Sequence, residues 1–264
     1  MLKPKKSLGQ NFLIDQNIVS KIVSLEEIYE KNIIEIGPGT GNLTKEIIKQ
    51  KPKNLILIEK DKKLYAELKR QFKDFKQVKI YNEDVLKFNF ENEIKNETII
   101  YGNLPYNIST KILTNLIKFK IWPPKYIKLI LMFQKEVAEK ILANYKTPNY
   151  GRLRIMSNYR LSACDNFNIS NNCFYPKPKI DSTVISFDVK RNPKIKIDNI
   201  KNLETVTNIF FSGKRKMINK PLKKLFIDFK KISTKLNLDL SVRPSEISEI
   251  KYYEIAKLYE KKLD

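Results

Sequence analysis

Histidine is absent from all 264 residues of the chain, and only two cysteines, Cys164 and Cys173, are present. Without imidazole the chain lacks the usual base for a serine or cysteine nucleophile and the commonest nitrogen ligand of zinc. The two cysteines do not have the paired spacing of metal ligands, so we predict reduced thiols and no metal site. Any catalysis must therefore depend on other groups.

Long apolar runs and an amino-terminal signal sequence are also missing. No apolar run approaches the ~20 residues of a membrane span, and the opening Met1–Pro4 is unlike a signal peptide. These absences predict a cytoplasmic protein with no membrane partner. With 264 residues, of which 42% are hydrophobic, the chain is long enough for an α/β core and a small second domain.

Acidic residues are few beside basic ones, 29 against 51, which gives a formal charge of +22 and a pI near 9.7. Such a charge attracts polyanions and predicts a nucleic-acid partner. Lysine is abundant throughout, so clusters are more informative than the total. One cluster is Lys3, Lys5 and Lys6. The larger cluster is interleaved with phenylalanines and comprises Lys214, Arg215, Lys216, Lys220, Lys223, Lys224, Lys230 and Lys231. For any single lysine, a solvated helix face is the alternative explanation.

Short apolar segments alternate with amphipathic ones through the first 190 residues or so. The strands predicted in this part are Asn32–Ile36, Leu55–Ile58, Val78–Tyr81, Thr98–Tyr101 and Tyr126–Phe133, and Leu43–Gln50 is a predicted helix. This βαβ pattern is typical of a doubly wound parallel sheet. After residue 193 the pattern is purely helical, with helices predicted at Asn199–Ser212, Met217–Phe226 and Glu246–Glu260. We therefore predict an α/β domain of residues 1–191 and a basic helical domain of residues 192–264.

A glycine-rich turn, Gly37–Gly41, lies between the first of these strands and the helix, where α/β proteins bind nucleotides. Asn42 replaces the third glycine of a dinucleotide fingerprint, which favours a ligand without phosphates. Glu59 ends the next strand at the distance typical of a carboxylate that binds ribose hydroxyls. Asp84 can accept from an adenine amine, with Val85 against the ring, although a helix cap explains Asp84 equally well.

The tetrapeptide Asn103–Tyr106 (Asn-Leu-Pro-Tyr) follows the strand that begins at Thr98. The Asn103 side-chain oxygen and the Leu104 carbonyl can both accept from a flat exocyclic amine, and Pro105 favours an extended Leu104. Two acceptors out of the ring plane favour a pyramidal nitrogen and stabilise the charge it gains on attack. Tyr106 can stack on the ring. An ordinary Asn-x-Pro turn is the alternative, but together with the glycine turn this segment predicts methyl transfer to a base nitrogen.

Six ordered motifs resemble those of the ribosomal RNA adenine dimethyltransferases of the KsgA type. The resemblance extends from Lys5 to about Glu249, nearly the whole chain, and the six ordered motifs are highly specific together. The motifs are Ser7–Leu13 (SLGQNFL), Glu35–Gly41 (EIGPGTG), Asn103–Thr110 (NLPYNIST), Gln134–Ala138 (QKEVA), Tyr150–Leu153 (YGRL) and Phe174–Ser182 (FYPKPKIDS).

This resemblance implies a class I methyltransferase fold, with a Rossmann-like seven-stranded sheet and a small all-helical C-terminal domain. In that fold Ser182–Val189 is a strand of an antiparallel edge hairpin. The implied methyl donor is S-adenosylmethionine, and the implied acceptor is N6 of adenine held between Tyr106 and Phe174, although loop packing would also explain Phe174. The implied donor contacts are Asn11, Leu13, Gly37, Gly39, Glu59, Asp84, Val85 and Asn103.

The implied substrate is a pair of adjacent adenosines in a hairpin near the 3′ end of small-subunit ribosomal RNA, on an immature subunit, and we expect a monomer. The family's Phe-x-x-Arg-Arg-Lys appears here as Phe211–Lys216, and the change to Lys214 loses a bidentate phosphate contact. We expect RNA docking by Lys214, Arg215, Lys216, Lys220, Lys223 and Lys224. Three alternatives remain: a large-subunit adenine methyltransferase, a non-catalytic assembly factor and a small-molecule methyltransferase.

Overall fold

The computed structural model describes residues 4–5 and 9–263, so the predictions for Lys3, Lys6, Ser7 and Leu8 lie outside the described residues. The strands are β1 (Phe12–Leu13), β2 (Asn32–Ile36), β3 (Asn54–Glu59), β4 (Val78–Asn82), β5 (Thr98–Asn103), β6 (Tyr126–Gln134), β7 (Leu161–Ile169), β8 (Phe174–Tyr175) and β9 (Ser182–Val189). The helices are α1 (Gln16–Val23), α2 (Asn42–Lys49), α3 (Lys62–Gln71), α4 (Phe90–Glu93), α5 (Ser109–Ile117), α6 (Lys135–Leu142), α7 (Arg152–Arg160), α8 (Ile200–Phe211), α9 (Asn219–Leu225), α10 (Phe229–Lys235) and α11 (Glu249–Leu263).

The described residues form two compact units. Unit 1 comes from the segments Met1–Asn115, Pro123–Ala138 and Ala163–Val189, and unit 2 from Leu116–Trp122, Glu139–Ser162 and Lys190–Asp264. The last segment of unit 2 begins close to the predicted boundary at residue 191, while its two earlier segments come from inside the range 1–191. The separate functions assigned to residues 1–191 and 192–264 stay a prediction.

The seven-stranded sheet has the order β4-β3-β2-β5-β6-β9-β7. Strands β2 to β6 are parallel to one another, and β9 is antiparallel to β6. This confirms the predicted doubly wound sheet and its late antiparallel strand. The strand order reverses between β2 and β5, so the loops that follow them diverge and leave a crevice at the carboxyl ends of the strands.

The sheet strands are apolar because they are buried. Ile33, Leu55, Leu57 and Ile99 from neighbouring strands are at most 1% exposed and belong to one core cluster that also contains residues of α1 and α2. Each fully buried apolar side chain of this size stabilises the folded state by about 1.5–3 kcal/mol. The packed sheet is therefore a rigid support for the polar residues at the ends of its strands.

Unit 2 contains the predicted C-terminal helices, observed as α8, α9 and α11, and also the short α10, which lacked a clear apolar period and was not predicted. Pro221 is the third residue of α9, in the first turn, where its missing N–H breaks no helical hydrogen bond. Within this unit Arg160 donates to the carbonyls of Ile117 and Phe119 at 2.6 and 2.9 Å. None of the helices described here is both long and apolar enough to cross a membrane.

Candidate active site

A pocket in unit 1 opens at the carboxyl ends of the parallel strands, on the crevice side. It brings together eleven of the residues predicted for the site, which are Asn11, Leu13, Gly37, Gly39, Glu59, Asp84, Val85, Asn103, Leu104, Pro105 and Tyr106. The sequence did not identify Phe12, Lys60, Asn107, Met132 and Val184, which also line the pocket. The first three adjoin predicted site residues in the chain, whereas Met132 and Val184 lie on β6 and β9 and carry no sequence signal for this site.

The glycine turn adopts backbone conformations that L side chains rarely adopt. Gly37, Gly39 and Gly41 have φ values of 67°, 58° and 80°, in the left-handed region that favours glycine. A Cβ on Gly39 would lie 2.8 Å from the Phe12 ring. The turn is thus packed against β1, and its backbone approaches the pocket directly.

Glu59, the last residue of β3, is only 6% exposed. One carboxylate oxygen accepts from the Gly39 N–H at 3.2 Å and the other from the Asp61 N–H at 2.8 Å. Burial raises the pKa of Glu59, and these two N–H donors partly oppose the rise. A buried carboxylate beside the turn disfavours a phosphate and suits a ribose diol, so the pocket fits a nucleoside without phosphates.

Glu35, on β2 beneath the turn, is a second buried carboxyl that the sequence did not single out. It is 1% exposed and accepts from the Thr44 hydroxyl at 2.7 Å. Burial raises the pKa of Glu35 to about 8; the Thr44 hydrogen bond lowers it, while the nearby Glu59 adds to the increase. Glu35 is therefore protonated at neutral pH. Of the two carboxyls Glu35 and Glu59, only Glu59 then carries a negative charge beside the turn.

We expect Glu35→Gln to stabilise the protein at high pH. An unfolded chain loses the Glu35 proton near pH 4.5, whereas the folded chain keeps it to about pH 8. Between pH 4.5 and about 8 the unfolded state therefore binds fewer protons than the folded state. As pH rises through this range, Glu35 lowers the free energy of unfolding by on the order of 4 kcal/mol. Urea unfolding at pH 5, 7 and 9 should show similar stabilities at pH 5 and a more stable variant at pH 9. A difference independent of pH would contradict the assigned protonation.

Asp84, two residues beyond β4, has both carboxylate oxygens engaged. One accepts from the Leu86 N–H at 3.0 Å, in a turn and not at the start of a helix, and the other pairs with the Lys60 ammonium at 2.9 Å. The helix-cap interpretation of Asp84 is therefore wrong. The Lys60 hydrogen bond lowers the pKa of Asp84. Each oxygen retains a lone pair, and Asp84 lines the pocket beside Val85. Its contact with an adenine amine remains a prediction.

The Asn103 side chain is held by a residue far away in the chain. Its amide nitrogen donates to the Asn11 carbonyl at 3.1 Å across 92 positions. The Asn103 oxygen is therefore the atom left to accept from another molecule. Ile108 N–H bonds the Pro105 carbonyl at 3.1 Å, which closes the expected turn. Among the described residues no donor bonds the Leu104 carbonyl, so two acceptors are available in the same segment.

The two aromatic residues predicted to hold the base lie in different surroundings. Tyr106 lines the pocket, and its hydroxyl is 2.6 Å from that of Ser182, which fixes the direction of the ring. Phe174 is 3% exposed, packs in the core of unit 1 opposite Leu13, and is not part of the pocket lining that the structure describes. Its role in stacking remains a prediction.

The predicted RNA-docking residues belong to unit 2 and are exposed. Lys214 donates to the Pro148 carbonyl at 2.5 Å. Within the described part of the chain, none of Lys214, Arg215, Lys216, Lys220, Lys223 and Lys224 forms an ion pair with an acidic side chain. From the N-terminal cluster, Lys5 pairs with Asp61 at 2.7 Å. Nowhere in residues 4–5 and 9–263 do three potential metal ligands cluster.

Comparisons with known proteins show which family the chain resembles. A family model described as ribosomal RNA adenine dimethylase matches residues 1–261. The ribosomal RNA small subunit methyltransferase A of Pelagibacter ubique is 44% identical over 263 residues, 98% of either chain. A crystal structure of a dimethyladenosine transferase from Plasmodium falciparum superposes with a TM-score of 0.78 at 26% identity, covering 95% of this chain and 98% of that one. The 23S rRNA methyltransferase ErmE shares the fold, with a TM-score of 0.68 at 18% identity over 95% and 99% of the chains.

Proposed function

The chain belongs to the ribosomal RNA adenine dimethylase family, and we propose that it dimethylates N6 of two adjacent adenosines in a hairpin near the 3′ end of small-subunit ribosomal RNA. It is a methyltransferase whose donor is S-adenosylmethionine. The printed name and 44% identity of the Pelagibacter ubique relative support the small subunit as the target.

The observation that carries the proposal is the bond from the Asn103 amide to the Asn11 carbonyl at 3.1 Å. It leaves the amide oxygen available to an incoming N–H₂ group, together with the Leu104 carbonyl, to which no donor among the described residues bonds. The lone pair of an adenine amine is delocalised into the ring, and two fixed acceptors favour the pyramidal nitrogen that can attack. They also stabilise its developing positive charge. When bound, S-adenosylmethionine supplies the electrophilic methyl group. The alkylated amine is strongly acidic, so a chain without histidine needs no imidazole base.

The pocket wall supports a base that has left its stack. Extrusion of a base costs a few kcal/mol, and stacking on an aromatic ring recovers about 1–3 kcal/mol. Tyr106 supplies a ring whose direction is fixed through Ser182. We propose Phe174 as the opposite wall, which requires this ring to move out of the core in which it packs.

Three alternative functions are less well supported: a large-subunit methyltransferase, a non-catalytic assembly factor and a small-molecule methyltransferase. The fold does not distinguish small-subunit from large-subunit enzymes, since ErmE shares it, but the 44% identical relative favours the small subunit. A non-catalytic factor would not need the ordered acceptors at Asn103 and Leu104. A small-molecule enzyme would not need the exposed basic cluster of unit 2.

The direct test is to incubate the protein with labelled S-adenosylmethionine and unmethylated small subunits, and then to locate the label by nuclease mapping. We expect label on two neighbouring adenosines near the 3′ end. Label in large-subunit RNA, or on a free nucleoside in a reaction insensitive to salt, would replace the proposed substrate. A ribosomal substrate also supports the cytoplasmic location, and the monomeric state stays a prediction.

Reversing charge in the basic cluster should weaken docking without affecting the donor site. We expect Lys214→Glu with Arg215→Glu to lower small-subunit affinity roughly 10- to 100-fold, because phosphate contacts are lost. Each lost contact should also remove about 0.7–0.9 from the slope of log K against log salt. The affinity for S-adenosylmethionine should be unchanged. Lys194→Glu with Lys196→Glu is the matched control, since both lysines are exposed in unit 2 outside the cluster. Equal binding by both double variants would place the docking surface elsewhere.

A further inference from the structure

The segment Tyr175–Ile180, here named the mouth loop, is attached to the pocket wall at both ends. At its start, β8 pairs with β1, whose Phe12 and Leu13 line the pocket. Just beyond its end, the Ser182 hydroxyl bonds that of Tyr106. The loop therefore lies beside the position proposed for the target base.

Hydrogen bonds at its C-terminal end hold the mouth loop in place. The Asp181 carboxylate accepts from the Asn171 N–H at 2.9 Å, and the Asp181 carbonyl accepts from the Lys135 N–H at 3.0 Å. Pro176 and Pro178 further restrict the backbone between the two attachments. A loop held in this way loses little conformational entropy when a ligand binds.

Besides Ile180, the exposed side chains of the mouth loop are one aromatic ring and two cations. Tyr175 is 55% exposed, and Lys177 and Lys179 are also exposed. Among the described residues neither lysine is ion-paired, and no ring contact involves Tyr175. Asp181, the adjacent acidic residue, is already engaged by Asn171. The loop thus presents a stacking platform together with two cations that have no ion-pair partner among the described residues.

We propose that the mouth loop binds the RNA strand that flanks the target adenosine, with Tyr175 stacked on a neighbouring base and with Lys177 and Lys179 on neighbouring phosphates. This inference rests on the proposed function. A base that enters the pocket leaves its neighbours partly unstacked, and single-stranded RNA is bound by aromatic rings and basic groups in combination. The mouth loop would thereby hold the strand after unit 2 has docked the subunit.

The test compares Lys177→Ala with Lys179→Ala, as a double variant, and Lys73→Ala with Lys76→Ala. The control pair is also exposed in unit 1, but it precedes β4. It therefore lies at the amino ends of the parallel strands, whereas the pocket opens at their carboxyl ends. With unmethylated small subunits as substrate, the loop variant should raise KM about tenfold and reduce the slope of log K against log salt by about 1.4. The control should match the wild type, and the affinity for S-adenosylmethionine should not change in either.

Tyr175 provides a second, independent readout. We expect Tyr175→Ala to raise KM for the subunits roughly 5- to 100-fold, while Tyr175→Phe, which keeps the ring, stays near the wild type. Loop variants that behave like the Lys73 and Lys76 control, or that lose donor affinity, would overturn the inference. Failure of the wild type to methylate any ribosomal RNA would instead overturn the proposed function.

Discussion

Asn103→Ala is expected to lower turnover about 100- to 1000-fold, because it removes one of two fixed acceptors facing the charge that develops on the attacking nitrogen. The loss corresponds to about 3–4 kcal/mol of transition-state stabilisation. The affinity for small subunits should change little, since the groups proposed to bind the RNA outside the pocket lie in unit 2 and in the mouth loop. Single-turnover rates with saturating S-adenosylmethionine and unmethylated subunits measure the effect.

An exposed asparagine outside the pocket, Asn92 on α4, is the matched control for this substitution. Asn92→Ala should leave turnover, donor affinity and subunit affinity unchanged. If Asn103→Ala retains near-normal turnover, the amide oxygen is not an acceptor for the target amine. The proposed geometry of methyl transfer would then be wrong even if the substrate were correct.

Glu59→Gln is expected to weaken S-adenosylmethionine binding about 100-fold or more. Hydrogen bonds to a charged group contribute about 1.5–3 kcal/mol each, and a ribose can make two to this carboxylate. The amide also turns an N–H₂ group toward either the Gly39 or the Asp61 N–H, both of which now donate to Glu59. Titration calorimetry with S-adenosylmethionine measures the loss, and binding to small subunits should be preserved.

Glu35→Gln supplies the control, because it makes the same chemical change on the neighbouring strand. Glu35 is already protonated at neutral pH, so its replacement by the neutral amide should leave donor affinity near that of the wild type. Equal losses in both variants would show that glutamine at this edge of the sheet disturbs the glycine turn in general. Unaltered donor binding by Glu59→Gln would place the ribose elsewhere.

Much of the sheet was predictable because its strands are short apolar runs between turn residues. Asn32–Ile36 and Ser182–Val189 were predicted with the bounds that the structure has, and the other predicted sheet strands differ from it by one or two residues at their ends. The short α10 and the strand Leu161–Ile169 were not predicted, since neither has a clear periodic pattern. The helix α10 packs against the preceding helix α9, and Leu161–Ile169 takes its place in the sheet beside β9.

The sequence by itself determined the parallel strands, the glycine turn, and the polar residues at the carboxyl ends of strands β3, β4 and β5. These depend on local apolar periodicity and on the rule that parallel strands share an edge at their carboxyl ends. Only the tertiary structure decided that Asn11 fixes the Asn103 amide, that burial keeps Glu35 protonated, and that Phe174 packs in the core. Hydrogen-bond direction, desolvation and side-chain burial arise from contacts between residues far apart in the chain, which no local pattern encodes.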